Sequence, residues 1–254
     1  MSEPPVLLAC AHGTRAEAGQ ATYRALAAAV SARRPQLQVV GAYVDVQEPT
    51  LDAAVEDLTS AGRSLVVVPL LLSSGYHVGV DVPRAILDRP GARAARPLGP
   101  DPVLADLLTE RLDRCGLDRD ATVVLAAAGS SDEAAAVDVG RMAELLAERR
   151  GARVEVAYAA DVEPRLADVL ADVVADVVAA VRAGGSGPAV GVGVGVGVGV
   201  ASYLLAPGYF QSVVERVGRE VGALVTGPLC RADEVDPRLV DLVLDRYDAV
   251  VAAG

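Results

Sequence analysis

Residues 6–15 read VLLACAHGTR, an unbroken apolar run that stops at His12 and Gly13. Apolar residues in succession, followed at once by a glycine-containing turn, predict a strand buried on both faces. The segment from Glu17 to Arg34 then keeps the helical period and stops before Pro35. LQVVGAYV (37–44) predicts a second strand and LVVVPLLL (65–72) a third. Between them Leu51, Ala54, Val55 and Leu58 share one face of a helix that Gly62 can end. Strands alternating with helices imply right-handed crossovers and a parallel sheet covered on both sides.

The same order returns in the second half. AAAGSSD (126–132) falls on the opening stretch when Gly13 is placed on Gly129. YAADVEP (158–164) falls on YVDVQEP (43–49), and YLLAPGYF (203–210) on LLLSSGYH (70–77). Three matches in one order predict an α/β protein of two duplicated three-layer domains with parallel sheets, 1–118 and 119–254. The second copy is longer between Glu163 and Gly208, and a glycine–valine run near 184–200 supplies the extra length. It follows a helical pattern set by Leu166, Val169, Leu170, Val173, Val174 and Val177. Alternating glycine weakens a strand and leaves its register poorly fixed. The run is therefore expected to be heterogeneous, with part of it pairing as the counterpart of Val66–Leu72.

The 254 residues carry a formal charge of -11, which offers no broad positive face to nucleic acid or to an anionic membrane. All 23 basic residues are arginine, so Schiff-base chemistry and a GKT or GKS phosphate loop are excluded. Cys10, Cys115 and Cys230 are odd in number, widely spaced and without a CxxC pair. That pattern fits a reducing compartment, the cytoplasm, with Cys10 a small apolar residue inside the first strand. The polar start MSEPP and the lack of a run of about 20 apolar residues predict neither a leader nor a membrane span.

His12 and His77 are the chain's two histidines. One follows the first predicted strand, the other follows the third after the turn Ser73, Ser74, Gly75 and Tyr76, so both lie at the carboxyl edge, where open parallel sheets bind ligands. Asp45 ends the second strand at that edge, with Glu48 close behind. Two imidazoles and one or two carboxylates there suit a first-row divalent ion with coordination positions left open. In the second half Ala128, Phe210 and Ala160 stand where His12, His77 and Asp45 stand in the first, which predicts one working site and one degenerate copy. A histidine phosphatase also places a histidine after its first strand, in an RHG motif. Here Ala11 precedes His12 and the arginine comes at Arg15, so the phosphate grip is misplaced.

VLLACAHGTR, YVDVQEPTL and VVVPLLLSSGYHVGVDVP resemble the sirohydrochlorin chelatases, the class II chelatases, in their long two-domain form. The resemblance implies an active-site cleft between the two domains and insertion of Co2+ or Fe2+ into sirohydrochlorin or a related tetrapyrrole, in cobalamin or sirohaem synthesis. It implies metal-binding, catalytic roles for His12 and His77, and a ligand role for Asp45 where the family often has glutamate. The ion is then a substrate, with no cofactor permanently bound. Arg15, Glu48, Ser73, Ser74, Gly75, Tyr76 and Arg84 are the candidates for holding the carboxylate-rich tetrapyrrole. The expected partners are the ion and the tetrapyrrole, with no nucleic acid or membrane, for a monomer or homodimer. A relative that binds an ion or a tetrapyrrole without inserting one would use the same residues.

Overall fold

The computed structural model describes residues 3–183 and 197–253. By packing, the chain divides into two units, Met1–Gly99 with Cys230–Gly254, and Pro100–Leu229.

In the first unit, β1 (Val6–Ala11), β2 (Val39–Tyr43), β3 (Leu65–Pro69) and β4 (Ala92–Ala94) form a parallel sheet in the order β2-β1-β3-β4. Helices α2 (Leu51–Ser60) and α3 (Val82–Ile86) cover one face. There Leu8, Cys10, Val67, Val55 and Val82 close an apolar core. Helices α1 (Glu17–Arg33) and α8 (Pro237–Ala252) pack together on the other face. The expected helix face is found, with Leu51, Ala54 and Val55 buried and Leu58 packed against them.

The second unit repeats the plan. Strands β5 (Thr122–Ala127), β6 (Val154–Tyr158), β7 (Val198–Tyr203) and β8 (Leu224–Val225) run parallel in the order β6-β5-β7-β8. Helices α6 (Leu166–Arg182) and α7 (Tyr209–Glu220) lie on one face, and α4 (Pro102–Arg114) and α5 (Glu133–Arg150) on the other. Even the register repeats: Ala11 pairs with Tyr43 and Cys10 with Pro69, as Ala127 pairs with Tyr158 and Ala126 with Ser202.

Each unit takes its last helix from the other half of the sequence. Buried Arg246 of α8 donates to the Pro97 and Leu98 carbonyls at 2.8 and 2.7 Å, and the Tyr247 hydroxyl to Pro5 O at 2.6 Å. In the second unit Arg111 of α4 donates to Leu229 O at 3.0 Å. Charge-assisted bonds of this kind stabilise more than neutral ones, and here they fix each helix to the segment behind its sheet. The sequence halves 1–118 and 119–254 and the packing units are thus different partitions of one duplicated chain.

The third strand is shorter than the sequence predicts. Leu70 N–H still donates to Cys10 O of β1 at 2.7 Å, but the Leu71 carbonyl turns away to accept from Leu98 and Gly99 N–H, so the strand proper ends at Pro69. In β7 the counterpart is Ser202, whose N–H donates to Thr226 Oγ1, and that strand runs on to Tyr203. The end of the glycine–valine run, from Val198, pairs as the counterpart of β3. Residues 184–196, where heterogeneity was expected, lie outside the described residues. No helix among the described residues is long and apolar enough to cross a membrane.

Candidate functional site

His12 leaves the carboxyl end of β1 on a turn that only glycine fits. Gly13 has φ +97°, and a Cβ there would overlap the Asp45 carbonyl oxygen. The loop after β2 clamps this turn from the side. Asp45 N–H donates to His12 O at 2.9 Å, Thr14 N–H donates to Gln47 Oε1 at 2.8 Å, and Gln20 Nε2 donates to Thr14 O at 2.9 Å. His12 itself is exposed, with Nδ1 3.3 Å from Gly13 O.

His77 begins a π turn, His77–Asp81, closed by Val82 N–H donating to His77 O. The wider π geometry is a frequent mark of functional sites in helices. It brings Asp81 Oδ2 to 2.6 Å from His77 Nδ1. Asp81 is largely buried, and its second oxygen lies 3.1 Å from Arg84, which also reaches Asp52 at 3.2 Å. Because a carboxylate only accepts, the proton between them belongs on Nδ1, which leaves the Nε2 lone pair bare. The two imidazoles meet at the rim: their ring centroids lie 4.7 Å apart with the planes at 89°.

The other expected residues divide. Asp45 does not complete a triad, because Oδ1 accepts from Val46 N–H at 2.8 Å and is turned into its own loop. Among the described residues no group of three or more His, Cys, Asp or Glu side chains is arranged to hold a metal ion. Glu48 Oε2 accepts from Thr50 N–H at 2.9 Å, beside the start of α2. Arg84 is engaged by Asp81 and Asp52, whereas Arg15 is exposed and makes no ion pair with another described residue. Ser73, Ser74 and Gly75 form the half-buried approach to His77, where Gly75 O accepts from Val78 and Gly79 N–H. Tyr76 is 57% exposed, its ring 6.0 Å from that of His77. Asp81 was missed by the sequence reading. Its signal was the spacing HVGVD, a histidine and an aspartate four apart on one helical face.

A twice-built parallel α/β protein, with a pair of imidazoles at the carboxyl edge of one sheet and none at the other, belongs to the class that handles a small ligand at a strand edge. More particularly, the chain belongs to the CbiX family, whose profile matches residues 6–115 and 122–183. Among its relatives is a sirohydrochlorin cobaltochelatase of Methanosarcina barkeri, 29% identical over 126 residues, which span 44% of this chain and 97% of that protein. A sirohydrochlorin ferrochelatase of Priestia megaterium is 30% identical over 139 residues, 50% of this chain and 52% of that protein, so the match spans about half of the latter. The fold resembles that of SirB from Bacillus subtilis with Fe3+, at a TM-score of 0.72 and 21% identity over 96% of this chain and 94% of that one.

Proposed function

We propose that this chain is a chelatase that inserts a divalent ion, Co2+ or Fe2+, into sirohydrochlorin or a closely related tetrapyrrole. The observation that carries the reading is the meeting of His12 and His77, from distant parts of the chain, at 4.7 Å between ring centroids. Membership of the CbiX family supports it, as do relatives named for cobalt and for iron insertion.

The geometry suits an ion that must be handed on. Insertion strips water from the ion, removes two pyrrole protons and brings the ring nitrogens to face the metal. Two imidazoles, with no third ligand grouped beside them among the described residues, hold the ion and leave most of its positions to water and to the incoming macrocycle. Asp81 orients the His77 ring and fixes its Nε2 as the free nitrogen. A neutral imidazole next to the reacting ring can also accept a pyrrole proton. Asp45 and Glu48 stand on the neighbouring loop, where their charge offsets that of the ion in transit without ligating it. The second half, with Ala128, Ala160 and Phe210, is a structural copy with a degenerate site. The work is done in the cytoplasm, on a substrate that diffuses in.

The test is turnover. Substoichiometric protein is mixed with sirohydrochlorin and Co2+ or Fe2+, and the absorbance spectrum is followed. More than one metallated product per chain is expected. Formation of a single equivalent, or none, would make the protein a binder instead of an enzyme.

A further inference from the structure

On the α1 side of the first sheet lies a cavity of about 170 Å³. Ala9, Ala11 and Gly41 form its strand-side floor, and Tyr23, Arg24 and Tyr43 stand in its walls. Ala11, in that floor, is the last residue of β1 and immediately precedes His12 in the chain.

The polar side chains here are three donors, the phenols of Tyr23 and Tyr43 and the guanidinium of the exposed Arg24. Neither tyrosine hydroxyl nor the Arg24 guanidinium makes a hydrogen bond or ion pair with another described residue. No carboxylate or amide side chain is among the described lining residues. Arg34, by contrast, is paired with Asp248, and the buried Arg150 and Arg246 with Asp113 and with two carbonyls. Burial pushes the Tyr23 phenol up to about 12, with the Tyr43 hydroxyl and Cys230 thiol adding to the effect, so it stays protonated and able to donate. Guanidinium and phenol donors around an apolar floor match an anion, and a planar carboxylate above all.

Size narrows the ligand further. Sites for whole small molecules run to roughly 300–1,000 Å³, so this cavity takes one side arm and not a macrocycle. The second half points the same way. With Gly13 on Gly129, Tyr23 and Arg24 fall on Val139 and Gly140, while Tyr43 keeps a tyrosine, Tyr158. Two of the three donors are missing from the half that also lacks the histidines.

We propose that this cavity is a carboxylate subsite, in which Arg24, Tyr23 and Tyr43 grip one acidic arm of the tetrapyrrole whose ring lies at the histidine rim. The identity of the ligand rests on the chelatase reading; the demand for a carboxylate does not.

The experiment titrates the intact chain with metal-free sirohydrochlorin and reads Kd by absorbance or fluorescence. Arg24→Gln should weaken binding about tenfold or more, the scale of one lost charge-assisted hydrogen bond, and Tyr43→Phe by a smaller factor. Arg219→Gln, in the other half, should bind as the wild type does. Co2+ binding without tetrapyrrole should be unchanged in every variant, which shows that the histidine rim is intact. Arg24→Lys should recover part of the affinity, since it restores charge without the planar fork. A Kd within twofold of wild type in the Arg24→Gln/Tyr43→Phe double variant overturns the subsite. That result can coexist with normal insertion by the wild-type protein, and loss of affinity in Arg24→Gln can coexist with absent insertion, so the subsite and the chelatase reading fail separately. Wild-type protein that does not bind sirohydrochlorin at all would end both.

Discussion

Beyond β3 the chain enters a π turn that carries His77, Asp81 and, one turn later, Arg84; beyond β7 it enters a regular helix with Phe210, Val214 and Val217 in the same places. The apolar version packs better. Val214 and Val217 are buried in the second unit's core, and α7 runs for 12 residues where α3 has 5. Fully burying a valine is worth about 1.5–3 kcal/mol, which the first unit forgoes at these two positions. It holds instead a largely buried carboxylate, satisfied by an imidazole and a guanidinium. Duplication thus separates two demands on one fold: one copy keeps a polar, π-turned rim, and the other keeps the ordinary core.

The largest expected effect breaks the rim itself. His12→Ala and His77→Ala should each lower insertion by at least about a hundredfold with folding intact, as judged by circular dichroism. Wild-type rates in both would end the proposal. The reciprocal change, Ala128→His with Phe210→His, should create no second site in a His77→Ala background, because Val214 stands where Asp81 would have to orient the ring. Recovered insertion in that triple variant would show that two histidines at a strand edge are sufficient.

Asp81 sharpens the comparison next. Asp81→Asn should cost roughly 10–100-fold in insertion or ion affinity, the usual scale for a carboxylate behind a ligating imidazole, and Asp81→Glu should recover part of it. A fully active Asp81→Asn would make the 2.6 Å contact incidental. The mirror substitution, Val214→Asp, places an unpartnered charge in a closed core. It should destabilise the protein by at least about 3 kcal/mol in urea titration while leaving the site's chemistry alone.

What could be read in the letters follows from the same contrast. The sheets, their order of elements and the pairing of the histidines are carried by periodicity and by repeated motifs, which are local signals. The early end of β3 had no local signal, because LVVVPLLL is one apolar run and the turn of the Leu71 carbonyl toward Leu98 and Gly99 is a tertiary contact that spacing does not encode. Asp45 was expected as a ligand because it shares the rim; the side chain turned back to Val46 N–H, a choice of loop geometry that spacing does not encode. The exchange of last helices, α4 and α8, had no local signal, since Arg111 and Arg246 read as surface charges until their carbonyl partners are known. The subsite donors Tyr23 and Arg24 likewise carry no signal of their own within an ordinary helical pattern.

The two turn glycines give a smaller, graded test. Gly13 and Gly129 both have positive φ, +97° and +105°, so alanine is strained at each. The surroundings differ. At Gly129 the added Cβ would lie 3.1 Å from the Ala160 methyl, which can give way, whereas at Gly13 it meets the Asp45 backbone carbonyl. Gly129→Ala should cost about 1–2 kcal/mol of stability, and Gly13→Ala more, with insertion lost because His12 shifts along with its turn. Equal effects on activity would mean that the HGT turn does not position the imidazole.

The smallest effect is expected at Cys10, the thiol nearest to the site in sequence. Cys10 and its counterpart Ala126 are both fully buried at the same place in the register, so the sulfur fills space that a methyl fills in the other copy. Burial pushes the thiol up to about 12, with the charge of Asp81 adding to it. A raised thiol pKa keeps the group neutral at every pH below that value, so no thiolate is present to bind a soft ion or to attack a reagent. Iodoacetamide at mildly alkaline pH should therefore leave Cys10 unmodified in the folded protein, with the more accessible Cys115 reacting first. Cys10→Ala should retain full insertion and lose about 1 kcal/mol of stability or less. Loss of insertion in that variant would move the thiol into the site and make the two halves differ in one further chemical group.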